Sequence, residues 1–64
     1  MKLYEVNNKT WIKTTGYPIQ PPASIPVNKG EDLFFLHVDG AYGVCRNLKG
    51  ELTYIGAYTD IKKV

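Results

Sequence analysis

A chain of 64 residues holds one small domain that buries only about 60% of the surface it exposes when unfolded, leaving no room for a second lobe. Its 44% hydrophobic and 22% charged residues match ordinary globular usage and exclude collagen-like, low-complexity and disordered classes. Eight basic residues against six acidic ones give a net charge of +2, too mild for the clustered cationic stripe of a dedicated nucleic-acid binder.

Cys45 is the single cysteine, so no internal disulfide forms and the compartment need not oxidise thiols. The expected location is the cytoplasm. The longest apolar run, Leu33 to Leu36, is four residues, far short of the roughly 20 that a membrane-spanning helix needs. A signal-peptide core is also missing, so no membrane association is expected. Lysines and the one arginine are scattered and suit solvated ends and guarded sheet edges. All six acids lie outside residues 6–30, which gives that stretch a locally positive field suited to an acidic or neutral partner.

Residues 2–6 and 9–14 are rich in aromatic and β-branched side chains. Asn7-Asn8 between them reaches left-handed backbone angles at low cost, as a tight hairpin turn requires, so the pattern predicts a first hairpin. From residue 15 to residue 30, Pro18, Pro21, Pro22 and Pro26 each remove a backbone donor. That stretch is then no helix, and a strand only at an edge. A loop of this length is unusual in a compact domain and is commonly functional. Within it, Pro18-Ile19-Gln20-Pro21 favours polyproline II and has two readings: a ligand for another module, or a stiffened loop that loses less entropy on folding.

Residues 31–38 form the clearest strand. Leu33 and Phe35 share one pleat face and Phe34, Leu36 and Val38 the other, which predicts a central strand covered on both sides. Asp39-Gly40 signals a turn, residues 42–46 a strand, residues 47–50 a second turn and residues 52–55 another strand. No apolar stripe at helical spacing appears, and the only helix-like piece is a single turn near residues 57–60. The expected fold is all-β, a small closed barrel of five to six strands, because an open sheet of this size leaves unpaired edges and one uncovered apolar face.

Several pieces follow a recognisable order. They are Lys29-Gly30-Glu31 before Leu33, Phe35 and Leu36; Asp39-Gly40 before Tyr42; Cys45-Arg46-Asn47; the turn Asn47-Leu48-Lys49-Gly50; and Tyr54-Ile55-Gly56-Ala57-Tyr58 with Ile61 beyond. Over about residues 27–64 this arrangement resembles the Src homology 3 (SH3) domain, a five-stranded barrel that binds proline-rich peptides. The resemblance implies a single SH3-like β-barrel domain over residues 1–64, with Tyr42 on a binding face, Tyr58 carried by a single helical turn and Ile61 opening a last short strand. Gly43 stands at the family's second tryptophan and Gly56 at the proline of its single-turn motif. The loop of residues 15–30 also lacks the acids that pair with arginine in the family's ligands. These departures argue against the usual proline-peptide ligand, and the fold alone does not fix an activity.

Catalysis would need His37 with Cys45 or with a hydroxyl, and no spacing selects such a pair. The chain is therefore read as no enzyme. One cysteine and one histidine fall short of the four ligands of zinc, and no glycine-rich loop opens a helix. No metal or cofactor is expected. His37 is read as a half-buried strand residue and Cys45 as a small core hydrophobe.

Five tyrosines and one tryptophan exceed what so small a core accommodates, and such rings suit a recognition face. Tyr42, Tyr54 and Tyr58 are the expected exposed cluster, joined by Tyr17 and Trp11 from the loop side; the alternative has Trp11 plugging the barrel and the tyrosines lining its rim. The function expected is a non-enzymatic protein-binding module, a free-standing accessory or modulator protein of bacterial or phage type that docks on a larger protein partner. A rival reading is a single-stranded nucleic-acid binder that stacks bases on the same aromatics and meets phosphates with Lys9, Lys13, Arg46 and Lys49. A third is a homodimer formed through apolar residues of the strand at 31–38.

Overall fold

The computed structural model describes all of residues 1–64. Its strands are β1 (Thr10–Thr14), β2 (Asp32–Asp39), β3 (Tyr42–Arg46), β4 (Leu52–Gly56) and β5 (Ile61–Lys63). They form one antiparallel sheet in the order β4-β3-β2-β1-β5. No helix is long and apolar enough to cross a membrane.

Strand alternation builds the core. Ile12, Leu33, Phe35, Cys45, Ile55 and Ile61, drawn from all five strands, point to one face and are essentially solvent-free. Leu3 and Val6 from the N-terminal segment and Val27 from the β1–β2 connection close over them in a single cluster. β2 lies at the centre of the sheet, and its other face carries half-buried Phe34 and Leu36. Buried Thr14 and Thr53 are satisfied by the long connection: Thr14 Oγ1 donates to Asn28 O at 3.0 Å and accepts from Gly30 N at 2.8 Å, while Thr53 Oγ1 donates to Ile25 O at 2.7 Å.

That connection, residues 15–31, contains no helix or strand and runs along the free edge of β4. Gly56 N donates to Ile19 O at 2.7 Å, Tyr54 N to Ser24 Oγ at 2.9 Å, and Gln20 Nε2 to Tyr54 O at 3.0 Å. Gln20 also accepts from Val27 N at 2.9 Å and donates to Ile25 O at 2.8 Å. One amide side chain thereby ties the connection to itself and to the sheet.

Four expectations need correction. Residues 2–6 form no strand and no first hairpin; Leu3–Glu5 is a 3-10 turn, and only Lys2 bridges to Asp60. Leu3 and Val6 are both buried while Tyr4 and Glu5 are exposed, so burial at i and i+3 selects a helical turn over a pleat. The left-handed angle expected at Asn7-Asn8 falls instead on Lys9, with φ 60°.

The helical turn expected near residues 57–60 is a hydrogen-bonded turn only, in which Thr59 N donates to Gly56 O at 3.0 Å. Closure into a barrel by strand pairing is not observed either, since β4 and β5 remain the two edges of the sheet. Both edges are covered by other means. The long connection lies on β4, and Met1 exchanges backbone hydrogen bonds with Ile61 at the start of β5, at 2.8 and 3.2 Å. His37, lastly, is exposed. β1 pairs with β2 only as far as Phe35, and a register shift against β3 between Phe35 and His37 places His37 opposite Val44, breaking the alternation that would have turned it inward with Leu33 and Phe35.

Candidate functional site

Where the long connection meets the β4–β5 turn, the surface opens into a groove of about 320 Å³. Three tyrosines wall it, from three separate parts of the chain: Tyr17 from the connection, Tyr42 from the start of β3, and Tyr58 from the β4–β5 turn. Ile19, Ala41 and Ala57 supply the apolar floor and sides.

Local hydrogen bonds hold these pieces in place. Gly56 N to Ile19 O fixes the connection against β4, and Ala57 N to Ala41 O, at 2.9 Å, fixes the turn against β3. Gly56 also sits close to the connection, since a Cβ there would lie 3.4 Å from Ile19 O. From below, Leu3 N donates to Thr59 O and Tyr4 N to Ala57 O, both at 3.0 Å. Tyr4 then meets Tyr58 edge-on, with centroids 5.1 Å apart and planes at 63°, a favoured aromatic geometry. The ammonium of Lys29 stands 5.6 Å from the centre of the Tyr17 ring, within cation–π range.

Tyr17 and Tyr58 are 83% and 74% exposed, large rings left in water at the groove mouth. The charges there are few. Asp60 accepts a hydrogen bond from Lys2 Nζ at 2.6 Å; this contact lowers the Asp60 carboxyl below its ordinary pKa and raises the Lys2 ammonium above its own. Both side chains are about half exposed, so the pair orients the turn more than it stabilises the fold.

Of the residues singled out in the sequence, Tyr17, Tyr42 and Tyr58 come together here. Tyr54 does not; it lies half-buried on the outer face of the sheet beside Val44. Trp11 is on that outer face too, 44% exposed and 5.2 Å from Phe34, and so plugs nothing. Among the basic residues, Lys13 Nζ lies 3.2 Å from Asp32 Oδ1, an ion pair whose alignment falls short of a hydrogen bond. Arg46 donates to Gly50 O at 2.8 Å within the β3–β4 turn. Lys9 precedes β1, whereas Lys49 lies in that turn, so the four cations form no single cluster.

Cys45 is solvent-free, and burial pushes its thiol up to about 12, which removes the thiolate needed for nucleophilic chemistry near neutrality. No three His, Cys, Asp or Glu side chains gather where they would hold a metal ion. Ile19, Ala41 and Ala57, which line the groove, and Tyr4, which backs Tyr58, were not among the site residues expected from the sequence; for Tyr4 a signal was present. Its signal was the i, i+3 spacing of Leu3 and Val6, which turns Tyr4 outward toward the β4–β5 turn.

Comparisons with protein-family models, curated proteins and solved structures find no match.

Proposed function

We propose that the chain is a non-enzymatic protein-binding module that takes an extended apolar or aromatic segment of a larger protein into the groove of Tyr17, Tyr42 and Tyr58. The observation behind this reading is the convergence of three tyrosines from distant parts of the chain on one apolar cleft, two of them largely solvated. Tyrosine buries about 150–250 Å² when covered and loses little entropy in doing so, which is why such rings anchor interfaces. A four-stranded meander with a long loop before β2, and a tyrosine-bearing turn before a last short strand that returns to pair with β1, also supports an SH3-like reading of the fold.

Panning a displayed random peptide library against the chain tests the proposal. Recovered peptides should lose at least 10-fold in affinity for Tyr17→Ala and for Tyr58→Ala, since truncating a hot-spot ring costs about 2 kcal/mol or more. Both rings are exposed, so the thermal midpoint of each variant should stay near that of the wild type. Peptides that bind both variants as tightly as the wild type would place the docking surface elsewhere.

A further inference from the structure

The outer face of the sheet carries a second aromatic feature, independent of the groove. Cross-strand pairing lines up Trp11, Phe34, Arg46 and Leu52 in one row across β1, β2, β3 and β4. The adjoining row across β5, β1 and β2 is Lys62, Lys13 and Asp32. Neighbouring strands lie about 4.8 Å apart, and residues two apart on one strand about 6.8 Å. Cationic side chains therefore flank the Trp11–Phe34 ring pair along the strand and across it.

The charges on these rows are unbalanced. Asp32 is the only acidic side chain there, and Lys13 already occupies it; Arg46, which donates to Gly50 O, and Lys62 have no side-chain carboxylate partner. The remaining acids lie in the N-terminal turn, the long connection, the far end of β2, the β3–β4 turn and just before β5. Lys62 directly opposes Lys13, a like-charge pairing that costs stability in an antiparallel ladder. Asp32 offsets only the Lys13 charge, and Lys62 is left without a counter-ion that an anionic occupant would supply.

We infer that this face binds a single-stranded nucleic acid, with unpaired bases stacking on Trp11 and Phe34 and phosphates meeting Arg46, Lys62 and Lys13. A second copy of the chain is disfavoured, because a two-fold pairing sets this cationic face against itself. A duplex hides its base faces in its own stack, while a single strand offers both the π surface and the negative charge that the face is built to meet.

Trp11, as the sole tryptophan, reports on the site directly. Titrating the chain with a mixed-sequence single-stranded DNA dodecamer should quench its emission saturably at low salt. With three phosphates neutralised, affinity should fall roughly 20-fold between about 50 and 200 mM salt, following a slope of about −0.7 per contact. Arg46→Gln and Lys62→Gln, at exposed positions, should each weaken binding and flatten that slope by about 0.7. Tyr58→Ala should leave the titration unaltered, separating this face from the groove. Absence of quenching at low salt would overturn the inference, as would equally tight binding of a duplex or of poly-glutamate, or unchanged affinity in both cation variants.

Discussion

Gly43 faces the core from β3, and replacing it with alanine should displace the N-terminal turn. A Cβ built there would overlap Leu3 Cδ2 and come within 3.2 Å of Phe35 Cε1. Leu3 is completely buried and has two ways to respond. Leaving the core forfeits about 1.5–3 kcal/mol of side-chain burial, and staying in an overpacked site costs about 1–3 kcal/mol. Either route predicts a loss near 2 kcal/mol for Gly43→Ala, which for a domain of this size lowers the melting midpoint by roughly 8–16 °C.

The decisive measurement is a double-mutant cycle followed by circular dichroism. Leu3→Ala alone should cost about 2–5 kcal/mol through the cavity it leaves. In that background Gly43→Ala is relieved of the Leu3 overlap and meets only the edge of the Phe35 ring at 3.2 Å, so it should cost much less, giving a coupling of about 2 kcal/mol. A Gly43→Ala midpoint equal to that of the wild type, or simple additivity in the cycle, would refute the packing of Leu3 on β3. The consequence extends to the groove, because Leu3 N and Tyr4 N hold the turn that carries Tyr58.

Two further outcomes follow from ionisation. Cys45, with its thiol pushed up to about 12 by burial, should resist a thiol reagent at pH 8 in the folded protein and react at once in denaturant; rapid labelling of the native chain would contradict its placement. Asp60, whose carboxyl is lowered by the Lys2 hydrogen bond, adds stability that is present above its ordinary value of 3.8 and lost as pH falls through the lowered value. Asp60→Asn should therefore remove a small acid-side decline in melting midpoint. A decline of unchanged size in that variant would show that the pair plays no part in it.

Much of the sheet was legible because alternation and turn chemistry agree. Residues 42–46 match β3, and Asp39-Gly40 and the turn at 47–50 separate β2, β3 and β4 within a residue or two. The N-terminal segment was not legible by the same reasoning. Residues 2–6 carry the aromatic and β-branched side chains that suit a strand, yet tertiary packing of Leu3 and Val6 at three-residue spacing won over that local preference. Barrel closure is not observed for a related reason: the need to cover sheet edges was real, but Ile19 O with the Gln20 and Ser24 side chains on β4, and the backbone of Met1 on β5, meet it in place of strand pairing.

For the groove, the aromatic surplus pointed to Tyr17, Tyr42 and Tyr58, while composition had no means of separating them from Tyr54 and Trp11. That separation depends on where along the sheet each residue falls: Tyr42 shares a pleat face with Val44 and Tyr54 but opens β3 opposite Gly56, next to the β4–β5 turn. Tyr54 and Trp11 alternate with buried Ile55 and Ile12 on their strands, and so project from the outer face. Gln20, which links the connection to β4 through its amide, carried no sequence signal beyond lying among prolines.

Docking in the tyrosine groove is tested most directly by an NMR titration of the labelled chain with a peptide recovered by panning. The account predicts that amide shifts concentrate at Gly16, Tyr17, Ala41, Tyr42 and Gly56 to Asp60, with the Trp11 indole resonance unmoved. Shifts centred on Trp11 and Phe34, with the groove silent, would contradict it.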